Sequence, residues 1–315
     1  MKRKFALGLL LLVTVIAIGG CAQVASAKDY RFVIVPKVVH PWFDEVNIGA
    51  MEQAAKMEQA LGGKVTIDYM APTVADVTEQ NRILEQAAVT RPDGIAVDPL
   101  DAVGNKQVMD EIRNRGIPLI VFDSPSPPGS GITSVGNNFT EQGEIAAERL
   151  VELLGGKGKV AIMQGFPTAP NHLERFEAQK AVLAKYPGIE FVDGGISNDD
   201  IQTAQQQAAA VMAATPDLAG YLMCDAAAPI GIATAVKEAG KQGQVTVVGM
   251  DNLSDICVAV KEGVIESTAS TIPRMQGAMS VLMMWQASIG GETPQTVDTG
   301  ILIVTPANAD EFITN

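Results

Sequence analysis

Aromatic, charged and hydroxyl side chains follow several short apolar runs of this sequence, at the positions where predicted strands end. In open α/β sheets, ligands bind beyond the carboxyl ends of the strands. The candidate site residues read in this way are Lys37, His40, Trp42, Phe43, Asp123, Ser124, His172, Arg175, Cys224 and Asp251. Aromatic rings cover C–H surfaces, while carboxylates and a guanidinium group hydrogen-bond hydroxyls with charge assistance. The mixture is typical of a site for a neutral, polyhydroxylated ligand.

Each of these residues also has a purely structural interpretation. Asp is a favoured helix N-cap, so Asp123 and Asp251 could each begin a helix. Arg175 could pair with a neighbouring glutamate on a helix surface, where such pairs contribute little to stability. Trp42 and Phe43 could pack a helix on a sheet. Positions directly after predicted strands favour the ligand-binding interpretation.

Positioning these residues requires strands that lie side by side. Short β-branched runs alternate with longer helical patterns, the order that βαβ units produce. A first set covers residues 31–122, and a stretch rich in Pro, Gly and Ser follows at residues 124–131. A second set of similar length continues from residue 140 to residue 262. The sequence therefore predicts two similar α/β lobes joined at a hinge.

The sequence has no signature of catalysis. It contains no Gly-x-Ser-x-Gly nucleophile elbow. The glycine- and lysine-rich segment 155–159 lies between a predicted helix and a strand and lacks the closing Ser or Thr of a phosphate loop. The two histidines are far apart and have no cysteine or carboxylate at zinc-ligand spacing. We therefore expect a protein that is not an enzyme and that uses no metal and no cofactor.

Charge excludes further classes of partner. The chain has 23 basic and 36 acidic residues and a formal net charge of −13. Such a surface repels nucleic acid and anionic lipid. After residue 18, no apolar stretch of the sequence approaches the length of a membrane span. We expect no nucleic-acid partner and contact with the membrane only through a lipid.

Residues 1–27 are predicted to be an export signal. Lys2, Arg3 and Lys4 form a positive segment, and residues 5–18 form an apolar run of signal-peptide length. Residues 18–21 (Ile-Gly-Gly-Cys) resemble a lipobox that would acylate Cys21, while residues 24–27 (Val-Ala-Ser-Ala) offer ordinary cleavage after Ala27. Both alternatives place the folded protein outside the cytoplasmic membrane, in the periplasm or lipid-anchored. Without the three basic residues, the net charge is near −16.

Two further cysteines, Cys224 and Cys257, could pair in an oxidising compartment. Disulfide geometry is a three-dimensional constraint, so their spacing in sequence leaves both the paired and the free state open.

Five segments resemble the periplasmic sugar-binding proteins of the ribose-binding type, which are solute receptors of ABC importers. The matching family motifs are Asn-Pro-Phe-Phe, a strand ending in a sugar-binding Asp, Gln-Gly followed by Glu-Arg, Gln-Asn-Asp, and Val-Val-Gly-Phe-Asp. The corresponding segments here are residues 40–43, 120–123, 163–165 with 174–175, 223–225 and 247–251. The resemblance extends from about residue 30 to residue 304.

This resemblance implies the type I periplasmic binding protein fold, with two doubly wound parallel-sheet lobes joined by a three-strand hinge. The implied N-terminal lobe comprises residues 28–135 and 272–299, and the C-terminal lobe comprises residues 136–271 and 300–315. The implied function is capture of a sugar in the cleft by hinge closure, followed by delivery to the permease of an ABC importer. An alternative is a sensory receptor that presents its bound sugar, or a ligand like autoinducer-2, to a chemoreceptor or histidine kinase. We expect a monomer.

Three residues that depart from the family motifs indicate which ligand binds. Ser124 stands where the ribose receptor has Arg, Cys224 replaces its Asn, and Thr271 replaces its Gln. Lys37 and the Asp123-Ser124 pair resemble the autoinducer-2 and rhamnose receptors, whereas Arg175 and Asp251 resemble the pentose and hexose receptors. The sequence thus predicts a neutral sugar or polyol other than ribose.

Overall fold

A computed structural model describes residues 27–314 as two six-stranded sheets flanked by helices. The predicted leader and its possible lipid site, Cys21, lie outside these residues. The first sheet contains β1 (Tyr30–Val35), β2 (Val65–Tyr69), β3 (Gly94–Val97), β4 (Leu119–Phe122), β5 (Thr133–Gly136) and β11 (Thr296–Asp298). The second contains β6 (Lys157–Gln164), β7 (Gly188–Ile196), β8 (Leu218–Met223), β9 (Thr246–Met250), β10 (Ser267–Ser270) and β12 (Leu302–Val304).

Nine α-helices cover the faces of the sheets within residues 27–314. They are α1 (Pro41–Leu61), α2 (Val77–Val89), α3 (Lys106–Asn114), α4 (Phe139–Leu153), α5 (Pro170–Leu183), α6 (Ile201–Ala214), α7 (Ala228–Glu238), α8 (Ser254–Lys261) and α9 (Pro273–Ser288). No helix in this part of the chain has the length and hydrophobicity needed to cross a membrane.

The strand order shows that the two sheets are built alike. It is β11-β5-β4-β3-β1-β2 in the first sheet and β12-β10-β9-β8-β6-β7 in the second. Each described pairing is parallel except that of β10 with β12. The predicted fold class, α/β with two doubly wound parallel-sheet lobes, is confirmed. Parallel strands are buried on both faces, which explains why β1 is a continuous apolar run.

Side-chain alternation along β1 places a core on each face of the first sheet. Phe32 and Ile34 pack with α1 and α9, whereas Val33 and Val35 pack with α2 and α3. A third core surrounds the second sheet. Each sheet therefore has its own apolar interior.

The chain passes between the two sheets three times, after β5, after β10 and after β11. These passages lie next to the lobe boundaries that the sequence predicts at residues 135/136, 271/272 and 299/300, which stay a prediction. The alternation in sequence did not identify β5, β10, β11 or α9. These elements follow the irregular segment 124–131 or lie in the C-terminal fifth of the chain, where polar residues interrupt the apolar pattern.

One predicted helix is shorter than its sequence pattern. A helix near residues 103–115 was expected, but α3 begins at Lys106. The Asp101 carboxylate accepts hydrogen bonds from the backbone N–H groups of Val103 and Gly104, at 2.8 and 2.7 Å. This turn satisfies the backbone locally and delays the helix.

Two glycines allow α1 and α9 to approach closely. A Cβ atom at Gly277 would lie 1.9 Å from the Val46 carbonyl oxygen, and one at Gly49 would lie 2.0 Å from that of Arg274. Because these obstacles are backbone atoms, Gly277→Ala must push the helices apart. We expect a loss of about 3 kcal/mol in the free energy of unfolding, the upper end of the usual cost of overpacking.

Urea denaturation checks this expectation. Met275→Ala, on the same helix and 46% exposed, is the control and is expected to leave the midpoint nearly unchanged. Equal midpoints for the Gly277→Ala variant and the wild type would show that the helices are not packed as described.

Candidate functional site

A small cavity lies between the two sheets, at the carboxyl ends of their strands. Its lining residues are Lys37, Trp42, Phe43, Asp123, His172, Arg175, Asp199, Asp225, Ala226 and Asp251. Nearby, Leu100 from the first side packs on Phe166 and Ala169 from the second. The two halves therefore contact each other around the cavity.

Asp123 and Asp251 occupy equivalent places in the two halves, directly after β4 and β9. Their backbone φ angles are +45° and +62°. Few residues other than glycine adopt this left-handed conformation, which concentrates at functional sites because surrounding contacts must stabilise it. Both carboxylates line the cavity.

Asp123 is buried among donors and cations from both halves. Asn171 Nδ2 donates to it at 2.7 Å, and Gln276 Nε2 lies 3.4 Å from its second oxygen. Lys37 Nζ and an Arg175 nitrogen lie at 3.8 and 3.7 Å. Burial raises the pKa of the Asp123 carboxyl, and the two cations oppose this shift.

Arg175 is 2% exposed and lies on α5. Its Nε donates to Gln142 Oε1 at 2.8 Å and its Nη1 donates to the Cys224 carbonyl at 3.1 Å. The guanidinium carbon lies 5.0 Å from the centre of the Phe139 ring. These contacts fix the guanidinium plane, and its remaining N–H groups are directed toward Asp123 and the cavity.

Lys37 is oriented by a buried carboxylate that does not line the cavity. Its ammonium forms an ion pair with Asp98, whose other oxygen accepts a hydrogen bond from Ser124 Oγ at 2.7 Å. Burial raises the pKa of Asp98, and the adjacent ammonium opposes this shift. Ser124 is fully buried behind Lys37. Its hydroxyl thus supports Lys37, and its predicted ligand contact stays a prediction.

Thr271 connects Trp42 to Asp251. Trp42 Nε1 donates to Thr271 Oγ1 at 2.9 Å, and this hydroxyl lies 2.5 Å from Asp251 Oδ1. Trp42 also packs edge-on against Phe43, with ring centres 5.1 Å apart. The hydrogen-bonded chain joins α1 to the crossing segment after β10, so Thr271 orients two lining residues while lying behind them.

The two histidines come from different halves, His40 from the start of α1 and His172, which lines the cavity, from α5. His172 Nδ1 accepts a hydrogen bond from the Phe166 backbone N–H at 2.9 Å, and His40 Nδ1 accepts one from the Trp42 N–H at 3.1 Å. Burial lowers the pKa of both imidazoles, so both are neutral near pH 7. With Nδ1 accepting, each ring carries its proton on Nε2 and can donate there.

Cys224 is directed into the core behind the cavity. Its Sγ lies 3.8 Å from Gln179 Oε1, and only its carbonyl reaches Arg175. Cys224 and Cys257 are both buried and free, so they form no disulfide. Burial raises the pKa of the Cys224 thiol well above its usual value. A thiolate role is therefore excluded at neutral pH.

Two acidic residues at the site, Asp98 and Asp199, were not read as candidates, and a third, Asp225, was recognised within the motif at residues 223–225 but left out of the predicted set. Asp98 directly follows β3, so the rule of reading strand ends applies to it. Asp199 lies in the loop after β7, whose apolar sequence pattern covers only residues 189–192 although the strand extends to Ile196. The longer strand brings this loop to the cavity.

Asp199 and Asp225 form an acidic pair at one end of the cavity. Asp225 accepts hydrogen bonds from Ser197 Oγ at 2.7 Å and from the N–H groups of Ala227 and Ala228 at 2.9 and 2.8 Å. Burial and the neighbouring Asp199 charge raise the pKa of Asp225 to about 7. Burial also raises the pKa of Asp199. The pair therefore holds a proton near neutral pH.

This proton makes stability depend on pH. The pKa of Asp225 rises from 3.8 to about 7 on folding, so the native state retains a proton that the unfolded state releases. Below about pH 4, Asp225 is protonated in both the folded and the unfolded state, so pH does not change the free energy of unfolding through this group. As pH rises from about 4 to 7, only the unfolded state loses the proton, and the free energy of unfolding falls. Between pH 8 and pH 6, the free energy of unfolding of the wild type should therefore increase relative to that of Asp225→Asn by about 1.4 kcal/mol, the value of one pKa unit.

Urea denaturation of both proteins at pH 6, 7 and 8 measures this difference. His40 and His172 have the opposite pH dependence because burial lowers their pKa values, but both proteins contain them, so their contributions cancel. A stability difference that stays constant from pH 8 to pH 6 would contradict a shared proton at Asp225.

The charges of the lining residues define the kind of ligand. Four carboxylates and two cations line the cavity, and Lys37 is already paired with Asp98. An anionic ligand would require uncompensated cations or free helix N-termini. The described residues offer instead carboxylate acceptors, N–H donors and two aromatic rings. Such a set binds neutral hydroxyl groups between apolar faces. Within residues 27–314, no group of three or more His, Cys, Asp or Glu side chains is arranged to hold a metal ion.

Comparisons with known proteins agree with this geometry. The sequence profile of the family described as periplasmic binding protein domain matches residues 31–292. The D-ribose/D-allose-binding protein of Pseudomonas aeruginosa is 26% identical over 233 residues, which cover 72% of each chain.

Solved structures are similar over almost the whole described chain. A solute-binding protein of an ABC transporter from Burkholderia graminis, in complex with D-arabinose, is 29% identical with a TM-score of 0.85, and the match covers 91% of this chain and 99% of that one. A glucose-galactose binding protein from Geobacillus stearothermophilus is 26% identical with a TM-score of 0.83, covering 89% and 99%.

Proposed function

We propose that this chain, which belongs to the periplasmic binding protein domain family, captures a neutral sugar or polyol outside the cytoplasmic membrane and delivers it to an ABC importer. The observation that supports this most directly is the composition of the cavity. Asp123 and Asp251 at strand ends, Arg175 and the Trp42 ring converge from both halves on this cavity. The sugar-binding transport relatives support the same class of function, and a receptor role requires no catalysis.

The mechanism we propose is hinge closure. A ligand that contacts Asp123 from the first half and Asp251 from the second binds the closed form better than the open form, and this differential affinity shifts the population toward closure. Three crossing segments act as the hinge. The permease would recognise the closed pair of lobes, and release would follow when it separates them. A lipid on Cys21 or cleavage after Ala27 would decide whether the receptor is anchored or free, and a monomer suffices for this cycle.

The ligand we propose is not ribose. The three residues that replace polar groups of the ribose receptor, Ser124, Cys224 and Thr271, lie behind the cavity lining. Their polar atoms are engaged with Asp98, Gln179 and Asp251. A ligand of different size or hydroxyl pattern, such as a polyol, a deoxysugar or another aldose, fits this change.

A thermal-shift screen tests the proposed function. Pentoses, hexoses, deoxysugars and polyols are compared with sugar phosphates and amino acids, with ribose included. A cognate ligand at 100 times its Kd should stabilise the protein by about 2.7 kcal/mol, seen as a concentration-dependent rise in Tm. The variant Asp251→Asn should lose this rise, whereas Asp110→Asn, at the surface, should keep it. Stabilisation by a sugar phosphate or amino acid alone would overturn the proposal.

A further inference from the structure

Two buried polar atoms, one from each half, lie close together at the edge of the cavity without a hydrogen-bond partner among the described residues. They are Nε2 of His40 and Oδ1 of Asp199, which are 3.9 Å apart. Each side chain is only 7% exposed. Leaving a buried polar atom unsatisfied costs about 1–3 kcal/mol, and such atoms in a folded protein call for an explanation.

The two atoms have opposite hydrogen-bonding character. His40 begins α1, and its Nδ1 accepts the Trp42 backbone N–H. This bond assigns the proton of the neutral ring to Nε2, which can therefore only donate. The neighbouring Asp225 already accepts three hydrogen bonds, from Ser197 and two backbone N–H groups. Oδ1 of Asp199 accepts none from the described residues, so it is the acceptor that faces His40 Nε2 without a partner.

The distance between these atoms selects the group that can bind them both. At 3.9 Å they are too far apart for a direct hydrogen bond. An oxygen about 2.8 Å from each would complete both bonds, provided that it accepts one proton and donates another. A ligand hydroxyl does this, as a water molecule does, whereas an ammonium only donates, an ether or carbonyl oxygen only accepts, and a C–H group does neither.

We propose that His40 and Asp199 form a hydroxyl-specific subsite, in which one ligand hydroxyl accepts from His40 Nε2–H and donates to Asp199 Oδ1. This inference rests on the proposed function and specifies it further. It adds a residue, Asp199, that the strand-end motifs did not identify. It also requires that the ligand carry a hydroxyl at one defined position, whatever its other substituents.

The subsite exists only when the two halves are together. His40 lies between β1 and α1, on the first sheet, whereas Asp199 lies between β7 and α6, on the second. Asn198 and Asp199 have consecutive φ angles of +53° and +55°. Such a strained loop persists only when surrounding contacts hold it, and it fixes the direction of the Asp199 carboxylate. Recognition of this hydroxyl is therefore coupled to closure.

The test uses the neutral ligand with the highest affinity in the screen, together with its series of monodeoxy and monoamino analogues. Affinities are measured by calorimetry for the wild type, Asp199→Ala and His40→Asn. Asparagine keeps an N-cap acceptor for α1 but is too short to reach the hydroxyl. Asp217→Asn, which changes an exposed carboxylate, is the control and should behave as the wild type. Equal Tm values of the unliganded variants show that they are folded.

In the wild type, we expect one deoxy position to weaken binding roughly 10- to 100-fold, the scale of a lost hydrogen bond to a charged group. The amino analogue at the same position should also bind more weakly than the parent. The variants Asp199→Ala and His40→Asn should bind the parent ligand and this deoxy analogue with nearly equal affinity. The substitution and the loss of the hydroxyl remove the same interaction, so their effects on the binding free energy do not add.

Two outcomes would overturn the inference, and they are distinguishable. Suppose that a neutral ligand binds tightly, but that each deoxy analogue loses as much affinity in Asp199→Ala and His40→Asn as it does in the wild type. The proposed function then stands and the subsite is wrong. The same holds if the amino analogue binds as well as the parent. If no neutral sugar or polyol binds at all, the proposed function fails and the subsite fails with it.

Discussion

Replacement of Arg175 by alanine is expected to weaken ligand binding roughly 10- to 100-fold and to destabilise the unliganded protein by about 3–5 kcal/mol. The guanidinium group is 2% exposed and bonds to Gln142 and to the Cys224 carbonyl. It also lies 3.7 Å from Asp123. Its removal leaves a buried carboxylate with less compensation, takes one donor each from Gln142 Oε1 and the Cys224 carbonyl, and deprives the ligand of one charged hydrogen bond.

Calorimetry with the cognate ligand and urea denaturation without ligand separate the two effects. Arg82→Ala, which breaks only an exposed pair with Glu79, is the control and should change neither measurement. Arg175→Lys keeps the charge but cannot reproduce the planar set of donors, so it should regain part of the stability and little of the affinity. Wild-type affinity in Arg175→Ala would show that Arg175 is structural and does not contact the ligand.

The sequence was sufficient to predict the architecture because parallel strands leave a strong pattern. Largely buried strands such as β1, β4 and β9 contain continuous apolar runs bounded by polar residues. The resemblance to ribose-type periplasmic sugar-binding proteins is confirmed by the matched family and relatives. Asp123 and Asp251 reach the cavity by the same regularity, since each directly follows a strand and ligands of open α/β sheets bind beyond the carboxyl ends of the strands. Arg175 reaches it from α5.

The direction of individual side chains could not be predicted in the same way. Ser124 and Cys224 lie next to lining residues in sequence and Thr271 directly follows β10, yet their side chains are turned behind the cavity toward Asp98, Gln179 and Asp251. Loops after strands have no fixed period, so adjacent residues need not alternate between cavity and core. A buried polar network decides each orientation, and such networks join segments that are distant in sequence.

Asp199 could not be predicted because the end of its strand was misplaced. The apolar sequence pattern of this strand covers residues 189–192, so Asp199 is seven residues beyond its predicted end. The observed β7 continues through Asp193, Gly194 and Gly195 to Ile196. Neither Gly nor Asp favours strands, so propensity ended the predicted strand too early. Pairing with β6 supplies the stabilisation that local propensity lacks.

Replacement of Trp42 by alanine is the second change with a large expected effect. The indole is 4% exposed, packs on Phe43, and donates to Thr271, which in turn orients Asp251. Truncation of a buried aromatic side chain costs about 3–5 kcal/mol of stability. We also expect binding to weaken at least 10-fold, because a ring that lines the cavity is lost and Asp251 is less constrained.

The variant Trp42→Phe separates the contribution of the aromatic ring from that of the hydrogen bond to Thr271. Phenylalanine keeps an apolar ring at the cavity but cannot donate to Thr271, so the stability loss should fall to about 1 kcal/mol, the net value of one hydrogen bond. The chain has only two tryptophans, so Trp285→Phe leaves Trp42 as the sole indole reporter. Its fluorescence should change with ligand concentration and give the same Kd as calorimetry. An emission that stays constant while calorimetry detects binding would place the ligand away from Trp42.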